Sequence, residues 1–236
     1  MPSRDFSTRA ELSEWMDGPC TEQELRECLS DLEQVNRLVF AYRPTLQWLK
    51  TIAKSDHGSL HIVDVGCGGG DMLRAVERWA SLRSLSVQLT GIDMNQHTLR
   101  FARERTDSSS CIRYVHGHAA GHPDVQKVDL VISSHMTHHL LDEEVLSFLQ
   151  WMENTARVGW FINDLHREPF GFYAFRLLAQ GMRWHRFIRH DGPVSVLRSF
   201  RKNDWARYLD AAGIEGATIR TFAPGRLCVG RTKLHA

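Results

Sequence analysis

Residues Val63 to Asp71 read VDVGCGGGD, and this short run constrains the fold more than any other part of the chain. It is preceded by Leu60 to Val65, an apolar run rich in β-branched residues and stopped by glycine, which reads as a buried strand. Gly66, Gly68 and Gly70 then alternate, and Met72 to Arg83 carries a helical pattern. Alternating glycines suit a chain that turns sharply out of a strand and lets a ligand approach the backbone without meeting Cβ atoms. The helix opening there adds unpaired N–H groups, which favour an anionic or carboxylate-bearing ligand. A strand, glycine turn and helix in this order point to an open α/β sheet with its site beyond the strand ends.

The rest of the chain continues that rhythm. Val87 to Ile92, Ile112 to Val115, Val128 to Ser133 and Gly159 to Asn163 read as further strands. Thr98 to Arg105 and Glu143 to Arg157 read as the helices between them, the second with Val145, Phe148, Leu149 and Met152 on its apolar face. Strands alternating with helices imply right-handed crossovers and a mostly parallel sheet. Past Arg167 the pattern changes. Phe170 to Trp184 is aromatic and helical, Arg189 to Phe200 reads as a polar connection, and Asn203 to Ala212 is a helix ended by Gly213. Strands near Ala217 to Phe222 and Arg226 to Arg231 have no room for a crossover and should pair antiparallel at a sheet edge. At the other end, residues 10 to 53 carry a helical pattern, with Leu25, Leu29, Leu32 and Val35 on one face and Pro44 able to start a second helix. The expected fold is α/β: a doubly wound, mostly parallel seven-stranded sheet with a C-terminal antiparallel hairpin and an N-terminal helical lid. All 236 residues fall in one domain. Within it, residues 1–55 form the lid, 56–166 the cofactor-binding core, 167–202 a substrate-lid insertion, and 203–236 the last helix and hairpin.

The glycine spacing separates two cofactor classes. A nicotinamide site wants G-x-G-x-x-G/A, whose third small residue lets helix and strand pack closely. Counting from Gly66, that position holds Asp71. The pattern here is an acid, Asp64, then any residue, then G-x-G-x-G, and it resembles the first motif of the class I S-adenosylmethionine-dependent methyltransferases. The resemblance implies S-adenosylmethionine as cofactor and S-adenosylhomocysteine as product. It places Asp64, Gly66, Gly68 and Gly70 under the methionine part. Asp93, in LTGIDMN, would hold the ribose hydroxyls, because a carboxylate can accept from two vicinal hydroxyls. Met94 would pack on the adenine. In VHGHA, His118 stands where many relatives carry an acid that meets the adenine amino group, with Ala119 beside it. Ser134 and Arg43 complete the expected cofactor contacts, Arg43 toward the carboxylate or a polar group on the substrate, with a plain surface position as the alternative.

A finer resemblance covers nearly the whole chain. INDLHREPFGFYAFRLL, RHDGPVSVLRSF and the N-terminal LRECLSDLEQVNRLVFAYRPTLQWL are similar to a bacterial subgroup associated with type III polyketide synthases and aromatic secondary metabolites. It implies methyl transfer to a small aromatic or polyketide-like acceptor, to a hydroxyl oxygen or alternatively to a ring carbon. Transfer to oxygen is an in-line displacement helped by a base, and histidine suits that role near neutrality. The segments after the fourth and fifth strands, SSHMTHHLLDEE and INDLHREP, supply His135, His138, His139 and His166 as candidate bases, His139 and His166 foremost, with a packing role for one of the paired histidines as the alternative. Asp164 would orient His166 or a substrate hydroxyl, or cap the following helix. His135, Tyr173 and Arg198 are candidate substrate contacts. No metal is expected: His135, His138 and His139 do not repeat on one face of an element, and no cysteine or acid completes a set with them.

Composition narrows the partners. Lys and Arg number 29 against 28 Asp and Glu, so no broad basic field draws in nucleic acid or anionic lipid. The opening MPSRDFSTRAELSEW lacks an apolar signal segment, and no stretch reaches the ~20 apolar residues of a membrane span. The five cysteines form no CxxC pair or disulfide framework and read as reduced thiols. A cytoplasmic enzyme acting on a small molecule, without nucleic-acid or membrane partners, is the expectation. A nicotinamide oxidoreductase and a non-catalytic cofactor-binding protein are the alternatives.

Overall fold

The computed structural model describes residues 5–53, 58–125 and 128–233. Seven strands form one sheet: β1 (Leu60–Val65), β2 (Val87–Asp93), β3 (Arg113–His116), β4 (Val128–Ser134), β5 (Ala156–Leu165), β6 (Thr218–Phe222) and β7 (Arg226–Thr232). Their order is β3-β2-β1-β4-β5-β7-β6. The first five run parallel, and β7 lies antiparallel between β5 and β6. The sheet is therefore the doubly wound, mostly parallel one with a terminal hairpin that the strand pattern predicts. Chain order reverses between β1 and β4, so a crevice opens beyond their carboxyl ends.

Helices cover both faces, and each apolar helix stripe has a cluster to join. On one face α2 (Arg43–Ile52), α3 (Asp71–Ser81) and α4 (Gln96–Glu104) contribute Leu49, Leu73, Val76 and Leu99 to a core with Ile62, Leu89 and Leu130. On the other, α5 (Asp142–Thr155) and α8 (Lys202–Ala211) bury Leu149, Met152, Trp205 and Leu209 against Val63, Val131 and Trp160. A third cluster stands above the strand ends. There α1 (Glu22–Leu38) sets Cys28 and Val35 against Ala179 of α6 (Pro169–Gly181) and against Phe187 and Ile188 of α7 (Arg186–Arg198). Thr21 caps α1 by accepting from the Glu24 N–H, and Pro44 stands at the start of α2.

Two expectations are corrected. Residues 10–21 are not helical apart from a single 3-10 turn at Trp15–Asp17; the regular helix starts at Glu22. Arg189 to Phe200 is not a polar connection, because α7 runs through it to Arg198 with Pro193 inside. Gly192 and Pro193 read as breakers, yet Phe187, Ile188, Val194, Val196 and Leu197 are buried, and that burial offsets the poor local propensity. Gly192 also admits the Phe175 ring of α6 where a Cβ would stand.

The segment before α1 is pinned to the core by two arginines. Arg167, 1% exposed, donates to the carbonyls of Phe6, Ser7 and Ser199 and pairs with Asp204. Arg9 pairs with Asp142 at 2.7 Å and donates to the Leu140 carbonyl at 2.8 Å. These ties carry Glu14, Met16 and Asp17 over the end of β4.

Candidate active site

The glycine turn leaves β1 with four of its N–H groups bonded within the protein. Those of Gly66 and Cys67 donate to the Ile92 carbonyl, and that of Gly70 to Cys67. The Gly68 N–H donates to Asp93 Oδ2 at 2.9 Å, while Asp93 Oδ1 accepts from Asn95 N–H at 2.9 Å. The acid at the end of β2 is thus fixed beside the turn. Gly66, Gly68 and Gly70 all have φ between +52° and +75°, the region that glycine tolerates best. Burial pushes the Asp64 carboxyl well above the usual range, with Asp71 and Asp93 adding to it. Burial likewise raises Asp93, against the N–H donors that favour its charged form.

A groove of about 530 Å³ lies over this turn. Asp64, Gly66, Gly68, Asp93, Met94 and Ser134 line it, as does His135, so this part of the expected cofactor set is brought together. Gly70 lies beneath the surface and packs on Tyr114. Three expected contacts are elsewhere. Arg43 is exposed in an adjoining basic groove with Arg37, Lys50 and Arg78, and does not line the cofactor groove. His118 is exposed and Ala119 buried, and neither lines the cofactor groove. Other lining residues were not expected. Leu25, Leu29, Leu32 and Asn36 come from α1, and Tyr42 from just before α2. Asp71 accepts from Asn36 and from the Tyr42 hydroxyl, both at 2.8 Å, tying these helices to α3. Polar Asn36 on an otherwise apolar helix face was the available signal.

A second cavity, about 250 Å³ and lined mostly by apolar side chains, lies between α1, α6 and α7. Its walls include Val35, Phe170, Phe175, Leu178, Phe187 and Ile188, and His166 stands on it. Met16, Leu32, His135 and His139 line both spaces, so groove and cavity meet there. Tyr173 is half exposed, packs edge-on against Phe172, and is not in the cavity wall.

The junction holds a cluster that the sequence reading only half contained. Asp164 is fully buried and accepts from His138 Nδ1 at 2.7 Å, from the His138 N–H at 3.0 Å and from the Thr137 hydroxyl. It therefore orients His138, not His166, whose Nδ1 instead lies 3.4 Å from Glu168. Burial alone would raise the Asp164 pKa, but His138 and the Thr137 hydroxyl hold it below the usual carboxylate range. His139 Nδ1 meets Asp17 Oδ2 at 3.2 Å. Burial disfavours charge on His139, yet Asp17 and Glu14 outweigh it and keep its pKa above the ordinary value. Glu14, 4% exposed, stands 3.6 Å from His138 Nε2 and 3.8 Å from His139 Nε2. Arg198 donates to the carbonyls of His138 and His139 and pairs with Asp17; it supports the cluster without reaching the cavity. The expectation that no acid joins these histidines is thus overturned: Glu14 does so, from a segment more than a hundred residues away in the chain. His135 has φ +57°, and its buried Nε2 has no hydrogen-bond partner. Burial holds its pKa well below the ordinary value.

Residues 62–159 match the model of a methyltransferase domain. That stretch runs from β1 through the glycine turn and Asp93 to the start of β5. Over that stretch the chain is similar to a methyltransferase domain, and its fold is that of the class I, S-adenosylmethionine-dependent methyltransferases. A ubiquinone biosynthesis O-methyltransferase of Leptothrix cholodnii is 26% identical over 182 residues, 71% of this chain and 70% of that protein. Among solved structures, the plantazolicin methyltransferase BpumL with a monoazolic desmethylPZN analogue and S-adenosylhomocysteine superposes with a TM-score of 0.63. Its identity is 15%, covering 91% of this chain and 97% of that one. The magnesium protoporphyrin IX methyltransferase of Synechocystis PCC 6803, also with S-adenosylhomocysteine, gives 0.54 at 13% identity, covering 93% and 91%. The groove's own residues fit S-adenosylmethionine. Asp64 Oδ1 is buried at the groove without a partner, and a Cβ on Gly68 would point into open space. Among the described residues, no helix is long and apolar enough to cross a membrane.

Proposed function

We propose that this methyltransferase transfers a methyl group to a hydroxyl oxygen of a small aromatic, polyketide-like acceptor held in the apolar cavity. The observation that carries this reading is the junction: Met16, Leu32, His135 and His139 belong to both the cofactor groove and the cavity. A cavity of about 250 Å³ exceeds the ~150 Å³ that holds a benzene ring, which suits an acceptor of one or two rings. S-adenosylmethionine, when bound, supplies an electrophilic methyl on sulfur. Asp64 and Asp93 anchor its ends, and the glycine turn lets it lie against the backbone. The acceptor's hydroxyl faces Glu14, His138 and His139 in the cavity wall, where it is oriented and gives up its proton to that cluster. Asp164, Asp17 and Arg198 are positioning residues for that cluster.

The N-terminal segment with α1, together with α6 and α7, forms the lid over residues 56–166, and α8 with the hairpin completes the domain. All five cysteines are free thiols, in keeping with action in the cytoplasm. The test is incubation with trideuteromethyl-labelled S-adenosylmethionine and a panel of one- and two-ring phenols, with the label located by mass spectrometry and NMR. A labelled methyl ether is expected. Label on a ring carbon would replace this reading with C-methylation, and transfer only to protein or RNA would remove the small-molecule acceptor altogether. The curated relative's name, an O-methyltransferase, supports oxygen as acceptor.

A further inference from the structure

We propose that Glu14, His138 and His139 bind one divalent transition-metal ion of zinc-like preference at the junction of the two cavities. The donor set is two imidazoles and one carboxylate, a combination that holds zinc in catalytic sites while leaving a position open. Their ligand atoms all lie within 4.8 Å of one another. Glu14 is 3.6 Å from His138 Nε2 and 3.8 Å from His139 Nε2. Around a tetrahedral ion with bonds of about 2.1 Å, neighbouring ligand atoms are about 3.4 Å apart, so small side-chain adjustments close the site.

The surroundings repeat what metal-bound histidines require. A ligating imidazole generally gives its second nitrogen to a carboxylate or carbonyl, which fixes the tautomer and aims the first nitrogen at the ion. Both histidines do this: His138 Nδ1 meets Asp164 and His139 Nδ1 meets Asp17, which leaves each Nε2 facing Glu14. Glu14 is held in turn by the Ser195 hydroxyl, which donates to Oε1 at 2.9 Å. His139 and Asp17 also line the open groove, which gives the ion a path in.

The inference deepens the methyl-transfer reading and rests on it for the ion's use, though not for its binding. An acceptor oxygen at the open position loses its proton to water more readily beside the ion. The C–O bond then forms as the C–S bond breaks, and the electron pair stays on sulfur.

The test begins with chelator-treated full-length protein titrated with zinc ion by calorimetry and with cobalt ion by visible absorption. Wild type should take up one equivalent of zinc, and cobalt should give ligand-field bands. Glu14→Gln should lose binding by at least tenfold, and Asp17→Asn by about tenfold, the usual effect of removing an outer-shell carboxylate. S-adenosylhomocysteine titrations on each protein check that the fold persists. If Glu14→Gln fails to fold, the cobalt spectrum of wild type and the Asp17→Asn shift still decide the matter. Zinc uptake unchanged by both variants, or no stoichiometric uptake by wild type, would overturn the proposal. Full methyl transfer by protein shown to be metal-free would overturn the ion's use in the reaction while leaving the methyl-transfer reading intact. Specific metal uptake without any methyl transfer would do the reverse.

Discussion

Gly68→Ala separates the shape of the cofactor groove from the stability of the turn that makes it. Gly68 has φ +52°, and a Cβ built there meets nothing within 4 Å. The substitution therefore creates no internal clash and costs only the left-handed backbone penalty, about 1–2 kcal/mol. In a domain of this size that lowers Tm by about 2–8 °C. The new methyl, however, stands in the groove where the backbone is expected to face the cofactor. Binding of S-adenosylhomocysteine should weaken at least tenfold, or about 1.4 kcal/mol. Gly121→Ala is the control: φ is +79°, a Cβ again meets nothing within 4 Å, and the residue is exposed and lines neither cavity. It should show a similar fall in Tm with unchanged affinity. Thermal unfolding and calorimetric titration of both variants give the comparison. Equal affinities in the two would refute the placement of the cofactor over Gly68.

Three further outcomes are expected. Asp164→Ala leaves His138 and Thr137 without their buried acceptor and should cost about 3–5 kcal/mol, read as a fall in Tm of about 10 °C; a fall under about 2 °C would show that the pair contributes little. Phe175→Ala, at the cavity wall beside Gly192, should cost about 2 kcal/mol, below the range for a fully buried phenylalanine, and should shift acceptor preference toward bulkier rings in a competition assay. Burial depresses the His135 pKa in the folded state while the unfolded chain keeps about 6.5. Below that pH the unfolded state binds a proton that the native state refuses, so stability is lost as pH falls, by up to about 1.4 kcal/mol per unit. Urea midpoints measured from about pH 7 to about pH 5 should fall less steeply in His135→Phe than in wild type; parallel slopes would rule out this origin.

Much of the core was legible because its signals are local. The apolar run of β1, the glycine turn, the helix after it and Asp93 sit within one βαβ unit, and each has a physical reason to be where it is. The terminal hairpin was legible for a negative reason: too few residues separate β6 from β7 for a crossover. Helix α7 was not legible, because Gly192 and Pro193 oppose helix locally and only burial against α1 and α6 offsets them. The placement of Arg43, His118 and Tyr173 away from the two cavities was equally beyond local pattern, since side-chain direction depends on how helices and loops lie on the sheet.

The sequence by itself determined the fold class, the cofactor class and the acids that flank the glycine turn, because strand periodicity and turn chemistry act over a few neighbouring residues. Only the tertiary structure decided which groups meet at the junction. Asp164 belongs to His138 and not to His166, and Glu14 reaches the histidines because Arg9 and Arg167 tie the N-terminal segment to the core. Such contacts join residues from 26 to more than a hundred positions apart, and no spacing rule along the chain encodes them. They arise where buried charges must find partners, a condition set by the packed interior as a whole.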